Sequence, residues 1–72
     1  MTVQFHTRPT EETALIHRAI SALRRSTGTE ASPIKSEVIT IDARSFVACC
    51  DSQGEILGVY RVRTNGLLRR IR

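Results

Sequence analysis

The sequence predicts an α+β domain, with one amphipathic helix packed on a three-stranded antiparallel β-meander. Three observations carry that reading. An apolar stripe at helical spacing runs from Leu15 to Leu23, β-branched stretches dominate after Glu37, and glycine-bearing turn signals stand at Gly54 and Gly66. The 72 residues make a single small domain, 1–72, and 40% apolar content suits a globular fold rather than a disordered chain. No apolar run approaches the ~20 residues that a membrane-spanning helix needs.

In residues 1–8, Val3 and Phe5 alternate with Gln4 and His6, as in a short strand or an extended arm. Pro9-Thr10-Glu11-Glu12 then reads as a helix start, with Thr10 as the cap and two acids where the helix dipole favours negative charge. The helix is expected over about 11–26, with Leu15, Ile16, Ala19, Ile20, Ala22 and Leu23 on its buried face. Arg24 and Arg25 fall in its last turn, and Gly28 is placed to end it. Thr29 to Ser36 is a connection marked by Ser32-Pro33. Glu37 to Cys50 is one long strand or two pieces bent near Asp42-Ala43. Asp51 to Gly54 forms a turn, Glu55 to Thr64 the next strand, and Leu67 to Arg72 the last. Asn65-Gly66 between them is a strong signal for a two-residue type I′ hairpin loop.

That loop pairs Arg61 with Arg70 and Tyr60 with Ile71. A three-residue bulged loop at Gly54 pairs Gly58 with Ala48. Alternation then places Tyr60, Val62, Leu67, Ile71, Phe46, Cys50 and Ile56 on the face that receives the helix, with Arg69 as an exception. The opposite face holds Arg61, Arg63, Arg70 and Arg72 beside Leu68 and an apolar group, Val47, Cys49, Leu57 and Val59. Gly58 leaves room for a large neighbour such as the helix.

The formal net charge of +4 is unevenly spread. Residues 1–58 hold six basic side chains against all seven acids, whereas 59–72 hold five arginines and no acid. Four guanidinium groups on one hairpin face repel each other unless an anion intervenes, and phosphate oxygens match guanidinium forks. The expectation is therefore a small non-catalytic module that binds nucleic acid, DNA or RNA, through Arg61, Arg63, Arg70 and Arg72, extended by Arg24 and Arg25. With Tyr60 and Phe46 assigned to the core face, an aromatic stacking platform is nearly absent. The alternative is a regulator or inhibitor, phage-encoded in one version, that docks an acidic surface of a larger protein. In that reading Val47, Cys49, Leu57 and Val59 form a self-association patch for a homodimer. Two bland readings stand beside these. The arginines solubilise the final strand, or Glu11, Glu12, Glu37 or Asp42 neutralises them.

No membrane partner, cofactor or metal is expected. His6 and His17 have no further histidine, and the adjacent Cys49 and Cys50 point to opposite faces of a strand, so neither a zinc set nor a disulfide is read. Free thiols and the lack of a signal-like N-terminus lead to a cytoplasmic expectation. A Cys–His nucleophile is conceivable, but strand cysteines usually serve as small apolar side chains. The run Leu23-Arg24-Arg25-Ser26-Thr27-Gly28 resembles a helix-to-strand junction of restriction-endonuclease-like nucleases. The acidic motif with its following lysine is replaced here by Tyr60-Arg61-Val62-Arg63, so the resemblance implies no activity and the chain is not read as an enzyme.

Overall fold

A computed structural model describes residues 9–72, with side chains from Glu11 onward; the proposed N-terminal strand or arm, 1–8, lies outside the described residues. The described chain is an α+β fold, one helix followed by a four-stranded antiparallel sheet: α1 (Pro9–Thr27), β1 (Ser32–Ile41), β2 (Arg44–Cys50), β3 (Ile56–Val62) and β4 (Leu68–Arg70). The strands lie in sequence order, a β-meander.

The helix opens at Pro9, so Thr10 falls inside its first turn rather than capping it. Proline suits this position because the first turn has no intrahelical use for its missing N–H. At the other end Gly28 takes φ 76° and donates its N–H to the Arg24 carbonyl at 2.8 Å, the left-handed cap that the sequence indicates. The apolar stripe is buried as its spacing predicts, with Ala19, Ile20 and Leu23 packed on Val47, Cys49 and Tyr60 of the sheet.

Strand β1 starts at Ser32, inside the segment expected as a connection. Between the pairs Ser32–Cys50 and Glu37–Ala48, β1 advances five residues and β2 two, so its ladder is interrupted there. The Ser36 hydroxyl repairs the gap. It accepts the Cys50 N–H at 3.0 Å and donates to the Ser32 carbonyl at 2.7 Å, and it is buried. One side chain thus satisfies two backbone groups that would otherwise lose their partners.

Of the two forms open for 37–50, the structure has the bent one. Asp42 and Ala43 form a two-residue turn, both with positive φ, 51° and 64°. Aspartate tolerates that conformation, whereas alanine has a Cβ that crowds the following carbonyl. Ala43→Gly is therefore expected to raise stability by about 0.5–1 kcal/mol, read as a higher urea midpoint at unchanged slope. A lower midpoint would contradict the assigned turn.

Two one-residue shifts correct the register read from sequence. The three-residue loop at Gly54 is present: Asp51 accepts three N–H groups across it, two of them on its carboxylate, and Cys50 pairs with Ile56. Leu57 is then an extra residue, so the next pair is Cys49 with Gly58 and not Ala48 with Gly58. The bulge exchanges the two faces of β2 relative to β3. Val47 and Cys49, expected outside, are fully buried beneath the helix; Phe46, Cys50 and Ile56 leave the expected core face. Gly58 does admit the helix. A Cβ there would lie 3.1 Å from the Leu23 Cδ1.

The second shift is at the last hairpin. Arg63 donates its N–H to the Leu67 carbonyl at 2.8 Å, so the loop is Thr64-Asn65-Gly66, with positive φ at Gly66 only. Arg61 now pairs with Arg69 and Tyr60 with Arg70. A slip of one residue turns every β4 side chain over. Leu68 joins the core, while Leu67 and Ile71, expected inside, are exposed.

Both cysteines are free and buried. Burial is the main cause that pushes each thiol pKa up; a neighbouring thiol adds to this for Cys49, and Glu37 and Asp51 add to it for Cys50. The unfolded thiols ionise near pH 8.5 while the folded ones stay neutral. Their contribution to stability is thus complete below about pH 8.5 and is lost as pH rises toward the higher folded values. Cys49→Ala with Cys50→Ala is expected to flatten the alkaline fall in the urea midpoint. An unchanged fall would place its cause elsewhere.

Candidate functional site

With the register fixed, the sheet has two distinct faces. The helix covers the near face, where Val47, Cys49, Tyr60, Val62 and Leu68 pack. On the far face one row crosses all four strands: Ile39 pairs with Phe46, Phe46 with Arg61, and Arg61 with Arg69. Arg63, two residues beyond Arg61, continues the same face toward the last loop. Arg44, one position outside the Ser45–Val62 pair, stands at that same end from β2. Exposure on this face is uneven: Ala48 and Cys50 are 2% and 5% exposed, whereas Arg61, Arg63 and Arg69 are exposed.

Arg61, Arg63 and Arg69 line one recess of about 180 Å³ together with Thr64. Pleating holds Arg61 and Arg69 directly opposite each other, with Cβ atoms about 5 Å apart, a repulsive like-charge pair. Among the described residues none of the three is in an ion pair or side-chain hydrogen bond; Arg24, away from the cluster, pairs with Glu30 at 3.5 Å. Glu37 shares the far face but sits on β1, at the opposite edge from β4. The cluster is therefore uncompensated positive charge on a rigid support.

The arginines named from sequence separate. Arg61 and Arg63 are in the cluster. Arg70 is on the helix side, because it pairs with the buried Tyr60, and its Nε donates to the Arg72 carbonyl at 2.9 Å. Arg72 follows the strand, and its carbonyl also accepts the Val59 N–H at 3.2 Å. Arg24 and Arg25 do not extend the patch. Arg24 reaches Glu30, and Arg25 lines a groove between α1 and β4 on the other side of the sheet. That groove, about 470 Å³, is bounded by His17, Arg18, Ser21, Ala22, Arg25 and Leu68. Arg18 is committed there, donating to the Gly66 carbonyl at 2.7 Å and tying the helix to the last loop.

The self-association patch is corrected as well. Val47 and Cys49 are core residues with no exposed surface, and Leu57 packs against the core; only Val59, opposite Ala48, stays on the far face. The exposed apolar residues there are instead Ile41, Ile56, Leu67 and Ile71. Phe46 moves from expected core to the far face, half-buried beside Arg61.

Three members of this surface, Arg44, Arg69 and Phe46, escape sequence reasoning. The signal for Arg69 is its position as the one charged residue on an otherwise apolar face. Such a burial is costly enough to argue against the register itself. Phe46 carries no such signal, since residues 46–50 are apolar on both faces.

Cys49 lies in the core, and Cys50 donates weakly to the Ala48 carbonyl with an Sγ–oxygen distance of 3.8 Å. Neither thiol is hydrogen-bonded to His17, which lines the open groove, so among the described residues no Cys–His pair is assembled. Among the described residues no cluster of histidine, cysteine and carboxylate side chains could hold a metal, and no helix is long and apolar enough to cross a membrane. In comparisons with known proteins, no family model, curated protein or solved structure matches the chain.

Proposed function

We propose that the chain is a small nucleic-acid-binding module that contacts phosphates through the far face of its sheet, with Arg61, Arg63 and Arg69 in first contact and Arg44 at the border. The observation that carries this reading is the recess of three guanidinium groups with no anionic partner among the described residues. Like charges held this close by a β-ladder favour an anion that bridges them, and a chain of phosphates offers one at every step. Counterion release adds to the driving force, so binding is strongest at low salt.

The test is an equilibrium titration of labelled DNA and RNA strands over a range of salt concentration. Log affinity is expected to fall linearly with log salt. Three phosphate contacts account for a slope of about −2 to −3, at about −0.7 per contact for a single strand and −0.9 for a duplex. An affinity that stays flat as salt rises removes this reading. The exposed apolar side chains of Ile41, Leu67 and Ile71 favour a second one, a regulator that docks an acidic and partly apolar surface of another protein.

A further inference from the structure

We infer that the nucleic acid taken by this face is single-stranded, with a base stacked on Phe46 while Arg61, Arg63 and Arg69 hold the flanking phosphates. The inference rests on the reading above and names its substrate class. Its basis is the row Ile39, Phe46, Arg61 and Arg69, which runs across the sheet from an apolar side to a cationic one. Neighbouring strands are about 4.8 Å apart, so the ring of Phe46 is one strand from Arg61 and two from Arg69. That is the order of parts a single strand needs, an aromatic platform for the base beside fixed positive charge for the backbone.

The surroundings favour the same ligand. Ala48 is two residues from Phe46 on the same face and too short to cover it, and Ile39 faces it from β1. A base stacked there meets the apolar side of the row, where Phe46 and Ile39 keep part of their surface exposed while Ala48 is buried. A duplex keeps its bases stacked inside and offers a flat sheet only phosphates and groove edges. Reading its major groove takes an element inserted into the groove, whereas Phe46 sits on β2, an interior strand of the sheet. The Phe46 ring and its apolar neighbours would then have no partner in a duplex complex. Arg61, adjacent to the ring, can also lie against the exposed edge of the stacked base.

The experiment compares four labelled probes at one moderate salt concentration: a short oligothymidylate, an oligouridylate, an abasic strand of equal phosphate count, and a duplex of equal length. Each is titrated with the intact protein, with Phe46→Leu and with Phe46→Tyr. The leucine variant keeps apolar bulk at the site, and circular dichroism checks its fold. Base-bearing strands are expected to bind more tightly than the duplex. Phe46→Leu is expected to weaken them between about fivefold and a hundredfold, the range of base–aromatic stacking, and to leave the abasic strand unchanged. Phe46→Tyr is expected to retain the affinity. Equal binding of duplex and single strand, or a Phe46→Leu loss of the same size for abasic and base-bearing strands, overturns the inference while leaving phosphate binding intact. Absence of binding to every probe overturns both readings and directs attention to an acidic protein.

Discussion

Replacing Arg61, Arg63 and Arg69 together by alanine should reduce nucleic-acid affinity on the order of a hundredfold near 0.1 M salt and remove about two units from the slope of log affinity against log salt. The figure follows from about 0.7 per single-strand phosphate for each of three contacts, taken over one decade of salt. None of the three side chains is hydrogen-bonded or ion-paired among the described residues, so their loss should not weaken the fold; relief of the Arg61–Arg69 repulsion should strengthen it slightly. A matched variant, Arg70→Ala with Arg72→Ala, supplies the discriminating control. It changes two of the arginines that the two-residue loop register places on the binding face, whereas the observed register puts Arg70 on the helix side. A larger loss from the Arg70/Arg72 variant than from the triple variant would overturn the assigned face.

Leu23→Ala should leave most of the chain unfolded at 25 °C. Leu23 is 1% exposed, sits at the centre of the contact between α1 and the sheet, and lies against the one strand position without a side chain, Gly58. Removal of a buried leucine side chain costs about 2–5 kcal/mol, because the cavity collapses only in part. A core of this size supplies about 3–5 kcal/mol in total. The readout is loss of helical circular dichroism and of amide dispersion in an NMR spectrum. Leu23→Met, which conserves volume, should remain folded with a lower urea midpoint. A cooperative, near-wild-type melt of Leu23→Ala would mean that the helix does not anchor the domain.

The helix is legible because its evidence is local and repeated. Six apolar positions agree on one face, and Gly28 and the flanking charges agree on its ends. Strand positions are legible for a similar reason, since turn residues bracket β-branched runs. The hairpin turns are legible unevenly: the three-residue loop at Gly54 is read as it stands, whereas Asp42-Ala43 is only one of two alternatives, because alanine disfavours the conformation it takes there. Asn65-Gly66 carries the strongest two-residue signal in the chain, yet Gly66 closes a three-residue loop, with the Asn65 Oδ1 accepting the Leu67 N–H at 3.1 Å. Of the candidate site, Arg61 and Arg63 share a face in the sequence reading and in the structure alike, because alternation within one strand requires no knowledge of its partner. The residues that come from neighbouring strands, Arg69, Arg44 and Phe46, depend on register and are lost with it.

By itself the sequence determined the α+β class, the helix and its buried stripe, the approximate strands and the concentration of positive charge in 59–72. Each follows from a period or a composition that a short window contains. Only the tertiary structure decided which face of the sheet is the core and which bears the arginines. That choice turns on an extra residue at Leu57 and one more residue in the last loop, each reversing a whole strand. The energy that selects it is non-local. Packing against Ala19, Ile20 and Leu23 favours Val47, Cys49, Tyr60 and Leu68 beneath the helix, and the Arg18 bond to Gly66 holds the loop there. A strand that is apolar on both sides has no preferred face until a helix covers one of them.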